Sequence, residues 1–486
     1  MKLTEALDLC PTDLFVDGDW RPATDRRRID VHDPATTEVI ASVASGGEAD
    51  AVAAVEAAAR ALPGWAATPA RERSTVLRRA YELMTERADY FATLISAENG
   101  KALTDARAEV AYAAEFFRWY AEEAVRLAGT VQQAPAGGYR ILVDRAPIGV
   151  AVLVTPWNYP AAMATRKIGP ALAAGCSVVL KPASDTPLTA LAVAALLAEA
   201  GAPAGTVNVV PADRSGAVVG AMLDQPAVRK LSFTGSTEVG RRLLHSAADR
   251  VLSTSMELGG NAPFLVLADA DLDAAVRGAM LAKMRNGGEA CTAANRFYVH
   301  ESVAEEFASR FASAMASLTV GPGLEEETEV GPLVNADTRD KVAELVADAV
   351  ARGARVRTGG RAPERTGYYY EPTVLDEVAP DSALLSEEIF GPVAPIVRFR
   401  DEAEAVRLAN STEYGLVSYV YTRDLRRGLA VSGELESGMV GLNRGIVSDP
   451  AAPFGGVKQS GLGREGGHEG ILEYTEAKPL PPHRHH

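Results

Sequence analysis

Three side chains in this sequence could together carry acyl chemistry: a thiol, a carboxylate and an amide. Cys291 lies in Asn286-Gly-Gly-Glu-Ala-Cys-Thr-Ala-Ala-Asn-Arg296, where the paired glycines permit a tight turn that brings a thiol to a surface. The peptide alone leaves open a second use, a small buried hydrophobe, because free cysteine is among the most buried residue types. Glu257 ends a β-rich run, Val251 to Met256, and precedes Leu258-Gly-Gly-Asn-Ala-Pro263. Open α/β sheets put reactive groups at such strand ends, although capping or ion pairing would also explain the residue. Asn158, in Thr155-Pro-Trp-Asn-Tyr-Pro160, follows a strand. Its amide could donate to a developing oxyanion or close an Asx turn.

Two further peptides suit an anionic ligand. Phe233-Thr-Gly-Ser-Thr-Glu-Val-Gly240 joins a strand to a helix, where a phosphate can meet a helix N-terminus, but it is not a GxGxxG fingerprint. Lys181, in Lys181-Pro-Ala-Ser-Asp-Thr-Pro187, could reach a ribose or phosphate, or simply be a solvated strand-end lysine. Cys10 and Cys176 are assigned to packing.

These groups need a scaffold. Runs at Val150–Val154, Ser177–Lys181, Thr206–Val210 and Arg229–Phe233 alternate with helical segments near Pro160–Ala174, Pro187–Ala200, Gly216–Leu223 and Thr237–His245. Such alternation predicts a parallel sheet covered on both faces, with the chemical groups at strand ends or in the loops that follow. Before it, Leu14 to Trp20 reads as strand, Asp17-Gly18 turn, strand, followed by Ala-rich helices from Glu48. A second α/β block follows Glu257. Its clearest unit carries Val342, Leu345, Val346, Ala349 and Val350 at helical spacing, is stopped by Gly353, and leads into a strand near Ala354–Arg357. The alternating stretch Thr130–Arg145, with Ile471–Leu480, is a candidate ribbon for oligomerisation.

The 486 residues are 47% hydrophobic, enough for more than one core. A net charge of −15 opposes any general affinity for nucleic acid or anionic membrane. The N-terminus has no apolar signal core, and no apolar run is long enough to span a bilayer. Three scattered cysteines make no disulfide framework, which fits a reducing cytoplasm. The seven histidines show no metal spacing, and the tail His483-Arg484-His485-His486 reads as disordered. No metal is expected.

Taken in order, Pro156-Trp-Asn-Tyr-Pro160, Phe233-Thr-Gly-Ser-Thr-Glu-Val-Gly240, Glu257-Leu-Gly-Gly260, the Cys291 loop, Glu387-Glu-Ile-Phe-Gly-Pro392 and Pro453-Phe-Gly-Gly-Val-Lys-Gln-Ser-Gly461 closely resemble the aldehyde dehydrogenase superfamily, from about Leu14 to about Lys478. The resemblance implies an α/β fold of two open parallel-sheet domains plus a small β oligomerisation ribbon: a dinucleotide-binding domain over 1–129 and 148–256, a catalytic domain over 257–465, and a ribbon over 130–147 and 466–486. It also implies Cys291 as nucleophile, Glu257 as general base, and Asn158 with the Cys291 N–H as oxyanion donors. Implied cofactor contacts are Thr155, Pro156, Trp157, Lys181, Ser184, Gly235, Ser236, Leu258, Glu388 and Phe390. The cofactor is NADP or NAD. NADP is favoured, because Ser184 stands where a ribose-binding glutamate would repel a 2′-phosphate.

Arg166 and Arg285, with Ser448 of Gly445-Ile-Val-Ser448, resemble the group that holds the distal carboxylate in succinate-semialdehyde dehydrogenases; a planar guanidinium suits that task. The expected reaction is therefore oxidation of succinate semialdehyde, a small-molecule aldehyde, by a cytoplasmic homodimer or homotetramer. Three departures stand out: no second cysteine closely follows Cys291, Glu289-Ala290 replace a Gln-Thr-like pair, and Arg444 follows Asn443. Competing expectations are a glutarate-semialdehyde, betaine-aldehyde-like or broad-specificity enzyme, a cysteine-dependent esterase using Cys291 and Glu257, and a non-catalytic protein built on the same fold.

Overall fold

The computed structural model describes residues 1–480; the histidine tail lies outside the described residues. Valine- and leucine-rich strands buried on both faces form the centre of an eight-stranded sheet. Its spatial order is Gly461–Leu462, Ser253–Glu257, Val228–Thr234, Val150–Val154, Ser177–Lys181, Val207–Val209, Leu14–Val16 and Asp19–Arg21. The five middle strands are parallel, with the helices Pro160–Ala174, Pro187–Glu199, Ser215–Leu223 and Thr237–Ala248 in the crossovers. Both helices that open on proline do so at their first position, where the missing N–H costs nothing.

The sheet's core is parallel as expected, and its two edges are antiparallel. On one side the hairpin Leu14–Arg21 turns through Asp17 and Gly18, both at positive φ (59° and 85°), as a tight two-residue turn requires. On the other, Gly461–Leu462, read from sequence as part of the catalytic unit, pairs with Met256 and Glu257. The strand before Glu257 begins at Ser253 rather than Val251, because Val251 takes a left-handed turn conformation and is 91% exposed.

The second sheet runs Arg355–Thr358, Thr373–Asp376, Val393–Phe399, Ala294–His300, Ala262–Val266, Val417–Tyr421 and Met439–Leu442, parallel except for its first pair. Phe264, Phe297, Phe307 and Tyr419 pack in its core. A third, antiparallel sheet joins Thr130–Gln133, Arg140–Pro147 and Thr475–Leu480. Val131, Tyr139, Leu142 and Leu480 stand exposed on it.

No helix of the described residues is long and apolar enough to cross a membrane. Among the described residues no group of three or more His, Cys, Asp or Glu side chains could hold a metal ion.

Candidate active site

Strand register builds one side of the site. Val154 pairs with Lys181 and with Phe233, and Thr234 pairs with Glu257, so four successive strands end level. Between Val150–Val154 and Val228–Thr234 the connections diverge to opposite sides of the sheet, which is where an open α/β sheet leaves a crevice. A cavity of about 470 Å³ occupies that edge. All ten predicted cofactor contacts line it: Thr155, Pro156, Trp157, Lys181, Ser184, Gly235, Ser236, Leu258, Glu388 and Phe390. Cys291, Glu257 and Asn158 line it too.

Cys291 arrives from the other sheet, and not in the way expected. Its loop precedes the strand Ala294–His300, following the helix Leu272–Met284 and a turn in which Asn286, Gly287 and Gly288 all have positive φ. The thiol thus comes from the amino end of the second sheet to meet the carboxyl end of the first. The meeting is tight: a Cβ on Gly260 would lie 2.5 Å from the Cys291 carbonyl oxygen, so the turn after Glu257 needs glycine there.

Glu257 is 2% exposed, and neither carboxylate oxygen has a hydrogen-bond partner among the described residues. Burial, reinforced by the Glu465 carboxylate, holds its pKa well above the usual carboxylate range against Arg166, Lys167 and Arg464. Burial likewise pushes the Cys291 thiol up to about 12, with Glu388 and Glu257 adding to the rise and Arg166 and Arg285 opposing it. Without a bound ligand, then, the thiol is protonated and a basic carboxyl shares its cavity.

Asn158 is held on every side. Its Nδ2 donates to the Glu289 carbonyl at 3.0 Å, leaving the second amide proton unassigned. Its own carbonyl accepts from Lys101 Nζ at 2.7 Å and Asn286 Nδ2 at 2.9 Å. Lys101 also pairs with the buried Glu109 at 2.6 Å, and Glu109 receives the Ala161 and Ala162 N–H groups that open the helix Pro160–Ala174. Lys101 and Glu109 carried no sequence signal, because a Lys and a Glu eight residues apart read as solvated helix charges.

The cavity has features a dinucleotide would use. Lys181 is 5% exposed and makes no ion pair among the described residues; burial lowers its pKa to about 8 against the pull of Asp185. The helix Thr237–Ala248 opens beside it, with Ser236 Oγ accepting the Val239 N–H at 3.4 Å. At the other end Trp157 and Phe390 meet edge to face at 5.3 Å, and Glu388 accepts the Gly260 N–H at 3.0 Å. The sequence reading missed Thr338 and Lys341, which reach the cavity from the helix Ala336–Ala351; Lys341 Nζ donates to the Glu388 carbonyl at 2.6 Å.

Arg166, Arg285 and Ser448 do not border this cavity, although the charges of both arginines act on Cys291. Arg166 is buried, stacked 4.3 Å from the Phe454 ring centroid and ion-paired with Glu465. Arg285 is half-buried against Tyr159, its Nη2 3.4 Å from the phenol oxygen, and has no carboxylate in ion-pair range among the described residues. Ser448 is half-buried in the irregular segment after Gly445, which packs on Gly278 of the helix leading to Arg285. Arg444 is exposed.

Residues 20–480 match the aldehyde dehydrogenase family. A succinate-semialdehyde dehydrogenase of Paenarthrobacter nicotinovorans is 55% identical over 437 residues, 90% of this chain and 97% of that protein. A glutarate-semialdehyde dehydrogenase of Pseudomonas putida is 50% identical over 480 residues, 99% of each. The crystal structure of an Escherichia coli NADP-dependent enzyme superposes with a TM-score of 0.96 at 48% identity, covering 98% of both chains. With the Cys291 loop, the Glu257 carboxyl and the switch-point crevice meeting in one cavity, and with these matches over nearly the whole chain, the protein is an oxidoreductase belonging to the aldehyde dehydrogenase family.

Proposed function

We propose that this protein oxidises succinate semialdehyde to succinate with NAD(P)⁺, NADP⁺ being favoured. The observation that carries the reading is a buried, unpartnered Glu257 carboxyl opening on the same cavity as the Cys291 thiol. Cys291 Sγ bonds to the aldehyde carbon, its proton passing to solvent. The free Asn158 amide proton and the Cys291 N–H hold the resulting oxyanion. When bound, the nicotinamide supplies the hydride acceptor that converts this adduct to a thioester on Cys291. Glu257, made basic by burial, takes a proton from the water that attacks the thioester; the Cys291 thiolate leaves and takes up the proton of the acid product as the carboxylate forms, and Glu257 returns its proton to solvent.

Trp157, Phe390 and Glu388 form the nicotinamide-ribose end of the cavity; Lys181, Ser184 and the Ser236 turn form the phosphate end. Residues 1–129 and 148–256 make the dinucleotide-binding unit and 257–465 the bulk of the catalytic unit. Arg285, which has no carboxylate in ion-pair range among the described residues, takes the distal carboxylate of the substrate beside Ser448, while Arg166 adds positive potential behind Cys291. The exposed Val131, Tyr139, Leu142 and Leu480 on the ribbon pair copies of the chain as a homodimer or homotetramer. Three free cysteines fit a cytoplasmic protein.

A second reading, glutarate semialdehyde, is favoured by the nearly full-length likeness to the Pseudomonas putida protein. A panel of ω-semialdehydes and uncharged aldehydes, each run with NAD⁺ and NADP⁺, separates the readings by kcat/KM. Preference for the uncharged aldehydes would overturn both.

A further inference from the structure

Next to the site lies a carboxyl that the reaction does not use. Glu289, two residues before Cys291, is 2% exposed, and its Oε1 accepts the Val334 N–H at 3.1 Å. Its carbonyl accepts from Asn158 Nδ2 at 3.0 Å and Asn286 Nδ2 at 2.9 Å. One residue thus ties together the Val334 segment, the Asn158 amide and the Cys291 loop.

The surrounding charges do not offset an ionised Glu289. Lys101 faces it, but its Nζ is already 2.6 Å from Glu109 and 2.7 Å from the Asn158 carbonyl oxygen. On the same helix as Glu109, Asp105 accepts the Asn286 N–H at 2.8 Å and acts on Arg285 of Glu289's own loop. Glu98 faces Glu109 with a further carboxyl, and Asn335, next to Val334, bonds Asp185. Lys101 is thus matched by Glu109, with the Asp105 and Glu98 carboxyls close by, and another buried carboxylate would have no counter-charge of its own. Burial accordingly pushes the Glu289 carboxyl up to about 8, against the Val334 N–H and Lys101.

We propose that Glu289 is a positioning residue that works as a neutral carboxyl, keeping the Cys291 loop in register with Asn158, and that its ionisation draws Lys101 from the Asn158 carbonyl and slackens the amide donor. Glutamine, the residue common at this place in the resemblance, cannot ionise; glutamate makes the same tie conditional on a proton. The inference rests on the roles of Cys291 and Asn158 proposed above.

The test compares kcat/KM against pH for wild type and Glu289→Gln with succinate semialdehyde and NADP⁺. The variant-to-wild-type ratio is expected near one at about pH 6 and to climb by up to roughly tenfold per pH unit above the Glu289 ionisation. A ratio that stays flat to about pH 10 overturns the proposal. Thermal unfolding gives a readout that needs no turnover. Folded Glu289 keeps a proton that the unfolded chain gives up above its ordinary range, so stability falls with rising pH between the two ionisations and levels off above the folded one. The Tm advantage of Glu289→Gln should therefore widen from about pH 5 to about pH 8 and then hold constant; an advantage independent of pH overturns the proposal. If Glu289→Gln does not fold, Glu289→Met, of similar length and unable to ionise, takes its place in both measurements. Inactivity of wild type toward every aldehyde would sink the site reading, while the Tm comparison would still decide the state of Glu289.

Discussion

Arg166 Nε lies 2.5 Å from Glu465 Oε2, and both side chains are buried. The other oxygen of the same carboxylate takes Lys167 Nζ at 2.5 Å, so Glu465 sits between two cations and faces Glu257. The two arginines that the sequence presents as a matched pair are therefore in different electrostatic situations.

Arg285→Ala removes a cation with no carboxylate in ion-pair range among the described residues. The lost charge-assisted contact should cost about 1.5–3 kcal/mol, seen as a KM for succinate semialdehyde raised roughly 10- to 150-fold, with an uncharged aldehyde little affected. Equal losses on both substrates would mean that Arg285 serves the fold rather than the substrate.

Arg166→Ala breaks a buried pair and is expected to lower unfolding stability by about 3–5 kcal/mol, measured by denaturant titration. Because Arg166 also opposes the upward shift of Glu257 and Cys291, its loss should slow charged and uncharged aldehydes alike. An effect confined to the charged substrate would place the guanidinium on the substrate instead.

Cys291→Ala should abolish oxidation and leave NADP⁺ affinity within a few-fold, read by fluorescence titration. In the ligand-free wild type, a thiol pushed up to about 12 should alkylate with iodoacetamide at a rate still climbing about tenfold per pH unit through alkaline pH. A plateau near neutrality would show a thiolate already formed.

Glu257→Gln should keep a burst of NADPH and lose steady-state turnover, since hydride transfer precedes water attack. In wild type the carboxyl accepts a proton only above its raised ionisation, so the steady-state rate should increase with pH through a range above that of ordinary carboxylates, and the variant should lack this rise. Loss of the burst itself would assign Glu257 to thiol activation first.

Ser184→Glu should lower kcat/KM for NADP⁺ far more than for NAD⁺, by placing a negative charge near Lys181, which makes no ion pair among the described residues, where a 2′-phosphate would sit. Wild-type discrimination against NADP⁺ by more than about a hundredfold, roughly 2.7 kcal/mol, would contradict the role given to Ser184.

Local signals were legible in the sequence wherever the chain's own chemistry settles its conformation. The Asp17-Gly18 turn, the helices opened by Pro160 and Pro187, and the apolar runs Val150–Val154 and Ser177–Lys181 all fall where pattern and turn residues put them. Glu257 and Asn158 also lie at or just after strand ends, as their neighbours suggest, whereas the Cys291 loop precedes its strand rather than following one. Val251 misled because its β-branched side chain favours a strand, while the turn closing the preceding helix forces it left-handed. What the sequence could not specify is pairing at a distance. Lys167 meets Glu465 across 298 positions and Asn158 meets Glu289 across 131, and no local pattern ranks one carboxylate above another as a partner. Only the parallel register of four strand ends, and the approach of the second sheet's amino edge to them, decides that, among the described residues, Arg166 is neutralised, Arg285 meets no carboxylate, and Glu257 is left buried without a hydrogen bond.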